Sequence, residues 1–172
     1  MTDPLQSGLH TLALHDPTFA RLAVFCAVSL LFVLAAAFVA LALWRRGHLT
    51  RSFLARALIA GVVSGGLTLL LSRLVNDPRP FLAEHYLPLA HASSDNGFPS
   101  DHTLVTALLC GWAWGLDRRW AGIFMLGLLL VMMGRLAIGA HHTLDVLGSL
   151  LIAGVGLLAA ARWRLPAEWA QR

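Results

Sequence analysis

Apolar runs alternate with short polar breaks along most of this chain. They cover Phe19–Trp44, about Phe53–Val75, Ser100–Leu116, Trp120–Gly139 and Thr143–Ala161. A helix needs roughly 20 apolar residues to cross a bilayer, so these runs predict membrane spans. The first is broken only by Arg21 near its start. The second carries Arg56 near one end and Arg73 near the other, and its Gly61, Gly65 and Gly66 predict close helix packing. The third is short and ends at Asp117-Arg118-Arg119; the fourth stays apolar until Arg135. Ahead of the first run, Leu5, Leu9, Leu12 and Leu14 fall near one helical face of residues 1–18, which predicts a short interfacial helix. Residues 76–99 are polar, and Pro78, Pro80, Pro88 and Pro99 break any long helix there. The pattern predicts an all-α chain: an integral-membrane helical bundle of about five transmembrane helices plus a short N-terminal interfacial helix. Its length suits one domain over residues 1–172.

Composition agrees with the pattern. The chain is 58% hydrophobic and 13% charged, against about 25% charged in soluble domains. The net charge is +4, and every basic residue apart from the histidines is arginine. Where those arginines lie points to topology rather than to nucleic acid. Cys26 and Cys110 both sit in apolar runs, without metal-type spacing, and are read as small packing residues rather than a disulfide. The stretch Met1–Phe19 lacks the basic start of a cleaved signal peptide, so it is expected to be retained.

Arg45, Arg46 and Arg51 follow the first run; Arg118 and Arg119 follow the third; Arg162, Arg164 and Arg172 follow the fifth. By the positive-inside rule these breaks face the cytoplasm, with the N-terminus outside and the C-terminus inside. Three clusters then meet on the outer side: Arg73 to Pro80, Pro99-Ser100-Asp101-His102, and Gly134 to Asp145.

The clusters carry phosphate chemistry. An arginine in hydrocarbon costs roughly 2.5–3.5 kcal/mol on insertion scales, so Arg73, Arg79 and Arg135 gathered at one end make a poor structural device. They make a good clamp, because planar guanidinium donors match phosphate oxygens. His141 and Asp145 are four residues apart and share a face of a helix. The pair suggests a nucleophile or base whose ring a carboxylate orients. Ser100, as a helix cap, would leave backbone N–H groups free for an anion, and His102 just after it is placed to protonate a leaving oxygen. His142 is read as an interfacial histidine without a role. His102, His141, His142 and Asp145 have the chemistry of zinc ligands, but three arginines would repel a dication, so no catalytic metal is assigned.

These motifs resemble those of the type 2 phosphatidic acid phosphatase superfamily, which includes vanadium-dependent haloperoxidases. The residues concerned are Arg79-Pro80, Pro99-Ser100-Asp101-His102, and Arg135 followed by His141 and Asp145. Phe98-Pro-Ser-Asp-His102, Asn76-Asp-Pro-Arg-Pro-Phe81 and the opening Leu9-His10 and His15-Asp16-Pro17 are similar to the bacterial undecaprenyl-diphosphate phosphatases of the bacitracin-resistance type. The resemblance implies His141 as nucleophile, Asp145 orienting it and His102 as general acid. Arg79, Arg135 and Ser100 would hold the phosphate, with Arg73 as a further ligand, and no cofactor or metal would be needed. It further implies a polyprenyl diphosphate substrate in the bacterial inner membrane, cleaved on the periplasmic side to recycle undecaprenyl phosphate for the cell wall. Two departures stand out: the family's first-motif basic residue falls at Ser72, one position before Arg73, and Gly134 stands where the family tends to have serine. The alternatives are a phosphatase for phosphatidylglycerol phosphate, phosphatidic acid or lipid A, an anion transporter, or a haloperoxidase-like vanadate binder.

Overall fold

The computed structural model describes residues 3–170, so Arg172 of the basic tail lies outside it. Six principal helices form the fold. Helix α1 is Pro4–His15, α2 Pro17–Trp44, α3 Arg51–Leu74, α4 Asp101–Leu116, α5 Arg118–Ala137 and α6 Thr143–Arg162. Helix starts follow local chemistry. Asp16 Oδ1 accepts from the backbone of Thr18 at 2.8 Å and Phe19 at 3.2 Å, and Pro17 opens α2. Thr50 Oγ1 caps α3 through Phe53 N, and Asp117 Oδ1 caps α5 through Arg119 N. Residues 76–99 form a loop whose only helix is the single turn Pro80–Ala83, as the prolines require.

Four of the helices (α2, α3, α5 and α6) are long and apolar enough to cross a membrane. Leu58 and Leu69 of α3, Phe32 of α2 and Leu151 of α6 are among the exposed apolar side chains, as lipid-facing surfaces require. The fifth predicted span is α4, with 16 residues, about 24 Å long at 1.5 Å per residue. It is the central helix, burying Leu104, Leu108, Leu109 and Cys110 among others, and it packs against α2, α3, α5 and α6. Cys26 and Cys110 are both buried and unpaired.

Polar bonds at one end of the bundle fix its connectivity. Arg45, at the end of α2, pairs with Asp117 before α5. Trp44 meets Trp120 edge-to-face at 5.9 Å. Arg56, near the start of α3, donates to the carbonyls of Ala160 and Ala161 in the last turn of α6. The arginine-rich breaks Arg45–Arg51 and Arg118–Arg119 thus lie at one end, and the three chemical clusters lie at the other.

The glycines that pack helices are not the expected ones. A Cβ at Gly61, Gly65 or Gly66 would meet no atom within 4 Å. Close approach of α3 and α6 occurs instead at Gly156, where a Cβ would lie 2.1 Å from Ser64 Oγ and 2.7 Å from Ala60 O. Ser64 Oγ also donates to Ile152 O at 3.3 Å, a small-residue contact typical of membrane bundles. Three of the four leucines of α1 point as expected: Leu5, Leu12 and Leu14 face away from the protein, whereas Leu9 packs against the cluster of Ala23, Ala27 and Ile138. Its buried face is Gln6, His10 and Ala13, which rests on the loops of the cluster end.

Gly156→Ala should lower the thermal midpoint in detergent, with a cost of about 1–3 kcal/mol from overpacking. Gly61→Ala should leave it unchanged or raise it, by up to about 1 kcal/mol of helix propensity. Equal midpoints for the two variants would contradict the packing described.

Candidate active site

The three clusters converge on His141, in the turn between α5 and α6. The ring is 2% exposed. Its Nδ1 lies 2.9 Å from Gly97 O and 3.4 Å from Asp145 Oδ2. Its Nε2 lies 3.2 Å from Arg79 Nη1 and 3.1 Å from Arg135 Nη2. A guanidinium only donates, so Nε2 is the accepting nitrogen and Nδ1 carries the proton, donated to Gly97 O. Burial first, then the charges of Arg135 and Arg79, hold the His141 ring well below the ordinary imidazole pKa. Neutral at pH 7, Nε2 keeps its lone pair between two cations.

Arg79 is buried and richly bonded. Nε donates to Asp95 O at 3.2 Å, Nη1 to Ala140 O at 3.2 Å, and Nη2 to Ser93 Oγ at 3.1 Å and Asp95 Oδ1 at 2.7 Å. Hydrogen bonds from Ser93 and from Arg79 hold the Asp95 carboxyl below the usual carboxylate range. Arg135, in the last turn of α5, is also buried, but its Nε has no hydrogen-bond partner among the described residues.

Asp145 is fully buried in the first turn of α6. Its Oδ2 accepts from His142 N at 2.8 Å, while its Oδ1 has no partner among the described residues. The expected orienting bond to His141 is thus the longer of two contacts at Nδ1, and a backbone carbonyl makes the shorter one. Ser100 opens α4 and is buried, but its side chain makes no capping bond. The hydroxyl accepts from Thr103 Oγ1 at 3.2 Å. Ser149 Oγ donates to Ser100 O at 2.9 Å, which ties the start of α4 to α6. Half-buried His102 follows in the first turn. Arg73 ends α3 exposed, and no hydrogen bond or ion pair joins it to the cluster among the described residues. The structure therefore brings together Arg79, Arg135, His141 and Asp145, sets Ser100 and His102 beside them at the start of α4, and leaves Arg73 at the rim.

Asn96 organises the loop that carries Arg79, and no residue-type pattern marks it as chemical. Its Nδ2 donates to the carbonyls of Ser72 at 2.8 Å, Val75 at 2.6 Å and Phe98 at 3.1 Å, while its Oδ1 accepts from Asp77 N at 2.9 Å. The signal available in sequence is the turn dipeptide Asn96-Gly97. Gly97 is needed there: a Cβ would lie 3.0 Å from Asp77 O and 3.2 Å from Asp145 Oδ2. Asp77 lies beside Asp145, and burial, then its contact with that carboxyl, raises its pKa. Helix α1 braces the turn before His141. Gln6 Nε2 donates to Tyr86 Oη at 3.1 Å and to Leu136 O at 3.4 Å; His10 Nδ1 bonds Ala137 O at 2.8 Å and stacks on Tyr86 at 4.5 Å. Asp3 Oδ1 accepts from Thr143 Oγ1 at 2.8 Å.

Gly134 does not face the cluster. A Cβ there would lie 2.7 Å from Ala27 N and 2.9 Å from Ala23 O, in the wall of α2 beside its π turn, Phe25–Ser29. A serine at this position would strike that backbone rather than add a donor to the site.

A family model described as the PAP2 superfamily matches residues 53–169. The protein named "Putative undecaprenyl-diphosphatase YbjG" of Escherichia coli (strain K12) is 34% identical over 152 residues, 84% of this chain and 73% of that relative. The undecaprenyl-diphosphatase BcrC of Bacillus subtilis (strain 168) is 32% identical over 149 residues, 85% of this chain and 75% of that relative. No solved structure gives a significant match.

Gly134→Ser should lower the thermal midpoint, with an overpacking cost of about 1–3 kcal/mol. A midpoint equal to wild type would mean that the α2–α5 contact is looser than described.

Proposed function

The chain belongs to the PAP2 superfamily, and from that premise we propose that it is an integral-membrane undecaprenyl-diphosphate phosphatase. One observation carries the reading: a single neutral imidazole nitrogen, Nε2 of His141, is flanked by Arg79 and Arg135 while Nδ1 is committed to the Gly97 carbonyl. That is the arrangement an in-line attack on phosphorus needs.

In this reading Arg79 and Arg135 hold the terminal phosphate and stabilise the charge that grows on its oxygens in the transition state. The first N–H groups of α4, with the Ser100 hydroxyl, add donors at a helix N-terminus. Nε2 of His141 attacks the terminal phosphorus. The His141–phosphorus bond forms, the anhydride P–O bond breaks, and His102 donates its proton to the departing undecaprenyl phosphate oxygen. His102, now the base, takes a proton from water as water attacks the phosphohistidine, which releases inorganic phosphate and frees His141. Covalent catalysis divides one hard displacement into two easier ones. Asp145 and Gly97 together keep the proton on Nδ1, so that Nε2 remains the nucleophile. None of these steps uses a metal.

Membrane placement follows from charge. The ends carrying Arg45–Arg51, Arg118–Arg119 and Arg162–Arg164 face the cytoplasm, and the site faces the periplasmic side of a bacterial inner membrane. The N-terminus lies outside and the C-terminus inside. The lipid tail stays in the bilayer, and the product, undecaprenyl phosphate, is the carrier reused in cell-wall synthesis.

The test is phosphate release from undecaprenyl diphosphate by detergent-purified protein with a chelator present. Wild type should turn over, and His141→Ala should lose at least about 10³-fold. Arg79→Ala and Arg135→Ala should each lose about 10²–10³-fold, the scale for removing one transition-state donor. Arg73→Ala should lose less than either. An active His141→Ala would overturn the nucleophile, and silence from wild type with activity on another lipid phosphate would overturn the substrate.

A further inference from the structure

Behind the arginine cluster the charge reverses. Asp77, His142 and Asp145 each present a ligand-type atom, and all three atoms lie within 4.8 Å of one another. Asp77 Oδ1 and His142 Nδ1 are 3.4 Å apart. Ligands about 2.05 Å from a tetrahedral zinc stand roughly 3.3 Å from each other. Asp145 supplies a second, independent observation: it is fully buried, and its Oδ1 has no partner among the described residues. A pocket of about 710 Å³ opens onto the same place, lined by Asp3, Asp77, Glu84 and His142 among others, and no arginine lines it. Three carboxylates along such a path attract a cation and give it an entry route.

We propose that Asp77, His142 and Asp145 form a site for a first-row divalent cation of the Zn²⁺ or Mn²⁺ class, reached through this pocket. Two carboxylates and one imidazole suit either ion, and three protein ligands leave positions open to water from the pocket. The nearby positive groups do not prevent binding. Arg79 turns its guanidinium toward Asp95, Ala140 and His141, and Gly97 lies between its side chain and the Asp145 carboxylate. The N-terminal charge of α6 is met by Asp145 Oδ2, which accepts from His142 N. The ion takes no step in the phosphatase reaction. It joins the loop holding Arg79 to the start of α6 and fixes Asp145 behind His141. The site does not depend on the phosphatase reading, and its test uses no substrate.

Untagged, detergent-purified full-length protein is stripped with a chelator, dialysed against Zn²⁺ or Mn²⁺, and assayed for metal per chain and thermal midpoint. Wild type should bind about one ion per chain saturably, with a raised midpoint. His142→Ala and Asp77→Asn should each weaken binding at least about tenfold, and His91→Ala, an exposed histidine of the loop, should bind as wild type does. Absence of saturable binding by wild type, unchanged binding in His142→Ala, or equal loss in His91→Ala would each overturn the site. His142→Ala decides the matter if Asp77→Asn fails to fold.

Discussion

Two like charges held against one nitrogen set the terms for the rest of this molecule. Arg79 and Arg135 both reach Nε2 of His141, so their guanidinium nitrogens lie within about 6 Å of each other, a repulsion of about 3 kcal/mol at an effective dielectric constant near 20. The fold offsets it unevenly. Arg79 is wrapped by Asp95, Ser93 and the carbonyl of Ala140. Among the described residues Arg135 has only the histidine, and its Nε is left unmatched. An anion placed between the two would relieve both the repulsion and the unmet donor. On the proposed reading, that anion is the substrate's phosphate, and part of its affinity would be built into the folded state before any other substrate contact is counted.

Holding two buried arginines in register takes support from distant parts of the chain. The helix carrying Arg135 is pressed against α2 at Gly134, where the absent side chain lets α2 come close at its π turn. The loop carrying Arg79 is hung from Asn96, whose amide binds three carbonyls at once. Helix α1 buries the polar side chains of Gln6 and His10 and leaves Leu5, Leu12 and Leu14 exposed, because what it covers is a polar turn. At the opposite end Arg45, Arg56 and Asp117 tie helix ends together, far from the chemistry.

Hydrophobic pattern made the spans legible nearly to the residue, since burial in hydrocarbon tolerates few exceptions. Charge placement made the meeting of the clusters legible, because a membrane permits only two sides. Less was readable where the partner is backbone. The carbonyl of Gly97 takes the shorter bond from His141, a bond that carries no residue-type signature, whereas Asp145 could be found from its spacing. Ser100 has the composition of a cap, yet its hydroxyl serves Thr103. The glycines of α3 suggested packing, but a glycine packs only if a neighbour comes to it, and the neighbour came to Gly156. Arg73 shows the same limit: it falls one position from the family's usual basic residue, and one step along a helix turns a side chain by about 100°.

The shortness of α4 has a further consequence. At 16 residues it is about 24 Å long, against a hydrocarbon core of about 30 Å. Mismatch concerns helices that meet lipid, and α4 is packed among α2, α3, α5 and α6, so its shortfall is taken up inside the protein. Ser100 meets Asp145 and Ser149 in the first two turns of α6, so the start of α4, with Ser100 and His102, lies about a turn inside that end of the bundle. On the proposed phosphatase reading, a lipid anchored by its tail would meet a site so placed without leaving the membrane, whereas a water-soluble phosphate ester would give up hydration to descend. On that reading the short central helix would favour anchored substrates before any residue recognises a chemical group.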